Sequence, residues 1–276
     1  MNRLGRAFLS AKERGTPALI PFITAGDPDL ERTEAIIHAL AAAGADVIEL
    51  GIPFSDPMAD GPVIQAASER ALLAGATLRR ILALVQKVRA TNAIPIVLMG
   101  YYNPILAYGT KRFAAEAVAA GVDGLLLVDL PPEEAQELRC FTDPLDLPLI
   151  TLIAPTTPSE RRNQLAAAAQ GYLYYVSMTG VTGTARIDTT AIRAEVEDLQ
   201  KLSAVPVAVG FGINTAEDAA AVGAFADAVV VGSALVKIIH QHRHSPALID
   251  EVKNFIGAIR AGLDNNREQQ DGLPVE

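Results

Sequence analysis

Residues 46–62 read Asp-Val-Ile-Glu-Leu-Gly-Ile-Pro-Phe-Ser-Asp-Pro-Met-Ala-Asp-Gly-Pro. Val47, Ile48 and Leu50 are the apolar residues of a short buried strand, so Glu49 stands within that strand or at its last turn, where burial disfavours the ionised form. Gly51, Pro53, Pro57, Gly61 and Pro62 forbid a long helix over 51–61, and either Asp56 or Asp60 can fold back towards the strand end. An isolated Glu on a strand reads first as a structural carboxylate that pairs with an arginine or caps an amide. Glu49 is not isolated, and two carboxylates in different environments are a usual acid/base arrangement.

On either side of this stretch, the same unit of apolar strand, punctuated loop and amphipathic helix recurs. Upstream, an amphipathic segment from Asn2 to Arg14 ends at Gly15 and is expected to plug one end of the fold. A first strand, Ala18 to Thr24, comes next, and after Asp27-Pro28-Asp29 a helix through Ile36, Ile37 and Leu40 stops at Gly44. Downstream, helices run from Pro62 to Ala74 and from Thr77 to Ala90. Further strands are expected at 95–99, 124–128, 148–153, 172–176, 206–209 and 228–231. Between them lie a loop at 100–104 and a helix from Lys111 to Ala120. Pro131-Pro132 opens the next helix, and Thr157-Pro158-Ser159-Glu160 is a capping box for another, reaching Gly171. The remaining helices carry Ile192, Val196 and Leu199, open at Thr215, begin at Gly232-Ser233, and begin at Ser245-Pro246. Weak internal repeats accompany the pattern: Gly-x-Asp precedes an apolar run at 44–46 and 121–123, and proline opens the runs at 95, 148 and 206.

Eight strands alternating with eight helical crossovers predict a single (β/α)₈ barrel, with an additional N-terminal helix and extra helices in the connections. The barrel is expected to occupy 1–264, and 265–276 to be a polar, mobile tail. A doubly wound open sheet is the alternative, but no Gly-x-Gly-x-x-Gly comes after the first strand.

A formal charge of -9 argues against nucleic acid and against an anionic membrane surface, since both require a basic face. A small phosphorylated ligand stays compatible, because helix N-termini and backbone amides bind it locally. Cys140 is the single cysteine, which leaves no intramolecular disulfide and no cysteine cluster for a metal. With no secretory leader and no run of about 18 apolar residues, the expected compartment is the cytoplasm. Lys12, Lys87, Lys111, Lys201, Lys237 and Lys253 all fall in expected helices, and the His240, His242, His244 alternation reads as a solvated helix end, so no metal site is assigned.

Gly210-Phe211-Gly212 comes after the seventh strand, and Gly232-Ser233 after the eighth at a helix N-terminus, where amides and the helix dipole favour an anion. Gly180-Val181-Thr182-Gly183 after the sixth could complete the ring of donors or form a flexible lid. Each alone reads as a tight turn; three in register after consecutive strands point to phosphate.

The stretch Ile48 to Gly61 closely resembles, without a gap, the signature of the tryptophan synthase alpha chain family. Tyr174-Tyr175-Val176-Ser177 with Gly180 to Gly183, then Gly210-Phe211-Gly212-Ile213, then Gly232-Ser233-Ala234 resemble its later motifs in order, so the likeness covers nearly the whole chain. That resemblance implies a lyase that cleaves indole-3-glycerol phosphate to indole and glyceraldehyde 3-phosphate, with Glu49 and Asp60 catalytic. It implies that Gly183, Gly212, Gly232 and Ser233 hold the phosphate. Phe22, Phe211 and Leu126 would form the slot for the indole ring, Tyr174 would line the glycerol side, and Thr182 would bond towards Asp60 when a lid closes. The bland reading of Phe22, Leu126 and Tyr174 is barrel filling.

Carbon–carbon cleavage needs an electron sink, commonly a Schiff-base lysine or a divalent metal. Protonating indole C3 supplies one within the substrate, and Glu49 would give that proton. The resemblance further implies no cofactor in this chain and an α₂β₂ complex with a beta chain that carries pyridoxal phosphate. The docking face would include Pro53 and Asp56, on an apolar loop at the barrel mouth with Ile52, Phe54, Pro57 and Met58, and Asn103 on a second loop beside it, Tyr101-Tyr102-Asn103-Pro104. A stand-alone indole-producing lyase and a non-catalytic phosphate-binding barrel subunit are the alternatives; other phosphate-binding barrels share the loop glycines but not the stretch from Glu49 to Asp60.

Overall fold

The computed structural model describes residues 1–176, 189–210 and 212–271. Eight parallel strands close on themselves in chain order: β1 (Ala18–Thr24), β2 (Ile48–Gly51), β3 (Ile96–Gly100), β4 (Gly124–Leu127), β5 (Leu149–Ile153), β6 (Leu173–Val176), β7 (Val207–Gly210) and β8 (Ala228–Val231), with β8 pairing β1. The helices are α1 (Arg3–Arg14), α2 (Leu30–Ala42), α3 (Pro62–Leu73), α4 (Leu78–Arg89), α5 (Tyr102–Tyr108), α6 (Thr110–Ala120), α7 (Gln136–Thr142), α8 (Ser159–Ala167), α9 (Thr189–Leu202), α10 (Ala216–Gly223), α11 (Ser233–His242) and α12 (Leu248–Asp271). The expected (β/α)₈ barrel is the fold.

Strand period two sorts the side chains into two cores. Leu19, Ile23, Ile48, Leu50, Leu98, Leu125, Tyr175 and Val209 point outward into the helices. Ala18, Ile20, Val47, Val97, Leu126, Ile150, Tyr172, Tyr174, Ala208, Ala228 and Val230 fill the interior, as a packed barrel requires. The N-terminal segment is the plug its pattern predicts. Leu4, Phe8 and Ala11 of α1 join the interior cluster, and the Phe8 ring lies 5.6 Å from that of Tyr172.

The Gly-x-Asp repeats have a physical cause at this lower end. Asp46 accepts the amide of Leu19 at 2.9 Å, and Asp123 accepts that of Ile96 at 2.9 Å. Asp227, just before β8, accepts that of Val207 at 2.8 Å. Each carboxylate thus stitches the start of one strand to the strand before it. Asp123 also binds Arg3 at 2.7 Å and Arg89 at 3.0 Å, which fastens α1 to the barrel floor.

Several local expectations give way. Residues 102–104, expected as loop, begin α5, where Pro104 falls in the first turn and needs no amide partner. The helix expected at Pro131-Pro132 begins only at Gln136. Thr157 is no cap: Pro158 occupies the N-cap position of α8, and the Thr157 hydroxyl instead accepts the Ala154 amide at 3.1 Å. The genuine capping box is at Thr215 and Asp218. α12 continues to Asp271, beyond the boundary expected at 264, because no glycine or proline interrupts 265–271. Among the described residues no helix is long and apolar enough to cross a membrane.

Candidate active site

Glu49 lies in β2, registered with Phe22 on one side and Val97 on the other. Its neighbours Ile48 and Leu50 point out into the helix layer, so strand alternation turns Glu49 inward, where it is 1 % exposed. One oxygen, Oε1, accepts a 2.5 Å hydrogen bond from the Tyr172 hydroxyl, and Oε2 has no partner among the described residues. Burial pushes its pKa from 4.5 to about 8, against the lowering effect of Tyr172. At neutral pH the group therefore holds its proton. Tyr172 and Tyr174, both enclosed, have hydroxyls pushed well above their ordinary range by burial and by the charge Glu49 would carry.

Tyr174 reaches across to β7. A side chain at Gly210 would put its first carbon 2.0 Å from the Tyr174 hydroxyl oxygen, so the glycine there is what admits the ring. Phe22, 7 % exposed, lies over Gly51, where an added carbon would be 2.7 Å from the ring.

Asp60 stands on the loop between β2 and α3, the loop that the glycines and prolines keep out of helix. Its carboxyl is half-buried, and that burial raises its pKa, while a hydrogen bond from Tyr101 lowers it. Tyr101 grips the loop twice, because its hydroxyl also accepts the Ala59 amide at 3.0 Å. Burial, then the Asp60 charge, push the Tyr101 pKa up to about 12. Gln65 on the first turn of α3 ties down the Asp60 carbonyl at 2.8 Å.

A small cavity at the mouth brings Asp60 together with Phe22, Thr24, Ile64, Ser68 and Met99. Leu126, registered with Met99 across β3 and β4, is fully enclosed in the interior cluster with Val97 and Tyr174. The sequence reading missed Tyr101, Tyr172, Thr24, Ser68 and Met99. Thr24 and Met99 could have been found as inward positions at the ends of their strands, and Ile64 and Ser68 by their spacing of four on α3. Nothing local signals that Tyr172 meets Glu49, 123 residues away.

Around the rim, Gly212 adopts φ +79, a conformation natural to glycine. Gly232 is the N-cap of α11 without a side-chain cap, and Ser233 is exposed at its first position. Thr182, Gly183 and Phe211 lie outside the described residues. On the outer side of the Asp60 loop the expected apolar surface is only partly present: Ile52 and Pro53 are buried, and Phe54 packs on Tyr101 with ring centroids 5.2 Å apart. The loop folds onto Leu78 and Ile81, which shelters those residues. Met58 remains 87 % exposed, and Asp56 and Asn103 face solvent. All six lysines lie on helices.

Titratable groups gathered at the C-terminal ends of barrel strands, one of them held protonated at neutral pH, are the arrangement of a (β/α)₈-barrel enzyme working by proton transfer. A family model described as Tryptophan synthase alpha chain matches residues 8–262. The tryptophan synthase alpha chain of Geobacter sulfurreducens is 52 % identical over 265 residues, covering 96 % of this chain and 100 % of that one. That of Xanthomonas axonopodis pv. citri is 52 % identical over 266 residues, covering 96 % and 99 %. The crystal structure of the alpha subunit from Legionella pneumophila superimposes with TM-score 0.88 at 42 % identity, covering 96 % and 99 %. Tryptophan synthase from M. tuberculosis in its aminoacrylate-bound form gives 0.85 at 34 % identity, covering 95 % and 100 %.

The chain belongs to the tryptophan synthase alpha chain family. Its reaction is the retro-aldol cleavage of indole-3-glycerol phosphate to indole and glyceraldehyde 3-phosphate, a carbon–carbon lyase step of tryptophan biosynthesis. The family's partner is a beta chain, and pyridoxal phosphate belongs to that partner.

The raised pKa of Glu49 links proton binding to folding. Between pH 4.5 and about 8 the folded chain keeps a proton that the unfolded chain releases, so this group's contribution to stability is full at low pH and is lost across that window as pH rises. Glu49→Gln removes the linkage. Its urea midpoint should gain on that of the wild type as pH is raised from 4.5 to 8, then hold a constant lead. A gap that does not change with pH would show that Glu49 titrates normally.

Proposed function

We propose that Glu49 and Asp60 carry the cleavage, and the observation that supports this most is the proton Glu49 holds inside the barrel, up to a pKa of about 8. Glu49 donates that proton to indole C3, and the ring becomes an electron-accepting indolenine. The carboxylate so formed takes the proton of the hydroxyl beside the bond to be broken. The oxygen's electrons form the aldehyde carbonyl, the carbon–carbon pair returns to the ring, and indole leaves with glyceraldehyde 3-phosphate. Glu49 ends as the acid it began as. Oε2, unpartnered among the described residues, is the oxygen suited to the exchange, while Tyr172 holds Oε1. Asp60 accepts the indole N–H and offsets the positive charge that grows on the ring. Glu49→Gln should lower cleavage by about 10² to 10⁴-fold with substrate binding nearly intact, and Asp60→Asn should also lose most activity. Wild-type kcat/KM should fall as pH rises through about 8, where Glu49 loses its proton. Activity within about threefold of wild type in Glu49→Gln would exclude general acid catalysis by this group.

The phosphate is assigned to the N-terminus of α11, at Gly232 and Ser233, with Gly212 opposite and Gly183 completing the ring. Phe22, Leu126 and Phe211 flank the indole, Tyr174 the glycerol, and Thr182 closes on Asp60. Support comes from the uncapped helix start and from the left-handed turn at Gly212, which bring backbone amides and the positive end of a dipole to one rim. Glycerol phosphate should raise the melting temperature by mass action and unphosphorylated glycerol should not. Replacing Gly212 by valine should abolish the difference, and equal shifts from the two ligands would reject the site.

The beta chain is assigned to the outer side of the Asp60 loop, in an α₂β₂ assembly, with Pro53 shaping the loop from beneath and Asp56 and Asn103 meeting the partner. Exposed Met58 and Leu73 support this, since they put two large apolar side chains at a groove of about 790 Å³ that runs between the Asp60 loop and α3. Sedimentation with the cognate beta chain should give the mass of a heterotetramer, and Asp56→Ala or Asn103→Ala should weaken it. A 1:1 mixture that sediments as separate species at micromolar concentration would overturn the assembly. The assigned compartment is the cytoplasm, in keeping with exposed, unpaired Cys140, and fractionation of the source cells checks it.

A further inference from the structure

Thr24 ends β1, and its side chain lies with that of Phe22 on the inner side of the barrel wall. It is 2 % exposed, and its Oγ1 makes no hydrogen bond among the described residues. Thr24 lines the same cavity as Asp60, a space of about 20 Å³ that is also bounded by Ser68 of α3, by Tyr101 and by the apolar side chains of Phe22 and Met99. That is the room of a single water molecule. A buried hydroxyl without an acceptor among the described residues and a half-buried carboxyl therefore line one small chamber, and each has what the other needs.

We propose that Thr24 is a positioning residue for Asp60, its Oγ1–H donating to the Asp60 carboxylate, directly or through one water, and holding it ionised and aimed while the indole N–H is bound. This rests on the role given to Asp60 above and extends it to a residue that acts only through Asp60. Two donors then hold the carboxylate, Tyr101 from the end of β3 and Thr24 from the end of β1, and its remaining lone pairs are left for the substrate. Without Thr24, burial opposed by Tyr101 alone would shift the Asp60 carboxyl further towards its neutral form, a weaker acceptor for the indole N–H with no charge to set against that of the ring.

The other ionisable groups around Asp60 do not supply this donor. Tyr101 is already engaged with Asp60 and Ala59. Asp129, after β4, acts on Tyr101 and accepts the Tyr102 amide at 2.8 Å. Glu49 is inside the barrel on Tyr172, Asp56 is bonded to Ser55, and Glu69 is on the outer groove. Arg70 of α3 is turned away into a bidentate pair with Asp27, at 2.9 and 2.7 Å.

The test uses the full chain with Thr24→Val, which keeps the shape and removes the hydroxyl, and Thr24→Ser, which keeps the hydroxyl. The carboxyl resonance of Asp60, identified by its loss in Asp60→Asn, is titrated by carbon NMR without substrate. The valine variant should move the Asp60 midpoint up by about one pH unit, and the serine variant should restore it. For indole-3-glycerol phosphate cleavage, valine should lower kcat about tenfold with KM little changed, and serine should again restore it. An Asp60 midpoint that valine leaves in place, or one displaced equally by valine and serine, overturns the proposal; the latter would mean that the shape of the whole side chain, and not its hydroxyl, sets the midpoint. Because the titration needs no turnover, a catalytically dispensable Asp60 would sink its assigned role while leaving the Thr24 contact measurable.

Discussion

A carboxyl inside a barrel is the constraint around which this chain is arranged. The interior is otherwise filled by apolar side chains and two tyrosines, so Glu49 must hold its proton or carry a charge with almost no compensation. One of its oxygens is met by Tyr172 and the other by no group among the described residues. No well-packed core would keep such a group for stability, since burial without a full set of partners opposes folding across much of the neutral range. The floor is built to bear it. α1 closes the bottom with Leu4 and Phe8 and excludes water from beneath, and Phe8 lies against the ring of the tyrosine that holds Glu49.

The second carboxyl is treated differently, and the difference arises from where each sits. Glu49 is in a strand, where its backbone is paired on both sides and its direction is set by alternation. Asp60 is on a loop, where its direction must be supplied by side chains. Tyr101, Gln65 and the first turn of α3 do this from one side. The site thus joins a fixed proton donor to a carboxylate whose placement depends on the loops around it.

The barrel, its eight strands and the inward-facing glutamate were legible in the sequence because they depend on local pattern: alternation, glycine stops and prolines at helix starts. Strands β1 and β8 fall at the residues that pattern marks. The pattern failed where two local rules compete. Thr157 and Glu160 have the spacing of a capping box, yet Pro158 takes the cap position and leaves Thr157 outside. It also overstated the apolar loop, because whether Ile52 and Pro53 are exposed depends on Leu78 and Ile81, which arrive from another helix. At the site, the pattern gave no sign that Met99 and Thr24 line the cavity at the mouth, above the buried Leu126. How far along a strand the cavity begins depends on the stagger of the closed sheet, which no single segment encodes.

The aspartates at the foot of β2, β4 and β8 bear on that stagger. Each accepts an amide at the start of the strand before it, Leu19, Ile96 or Val207, and so fixes how neighbouring strands are offset at the end opposite the chemistry. A ruler of this kind separates two inheritances within one chain. The offset is written at the floor in three carboxylates. The loops at the mouth are therefore free to lengthen, acquire helices such as α5, or reshape for a partner without the strands slipping by a residue and turning Glu49 out of the barrel.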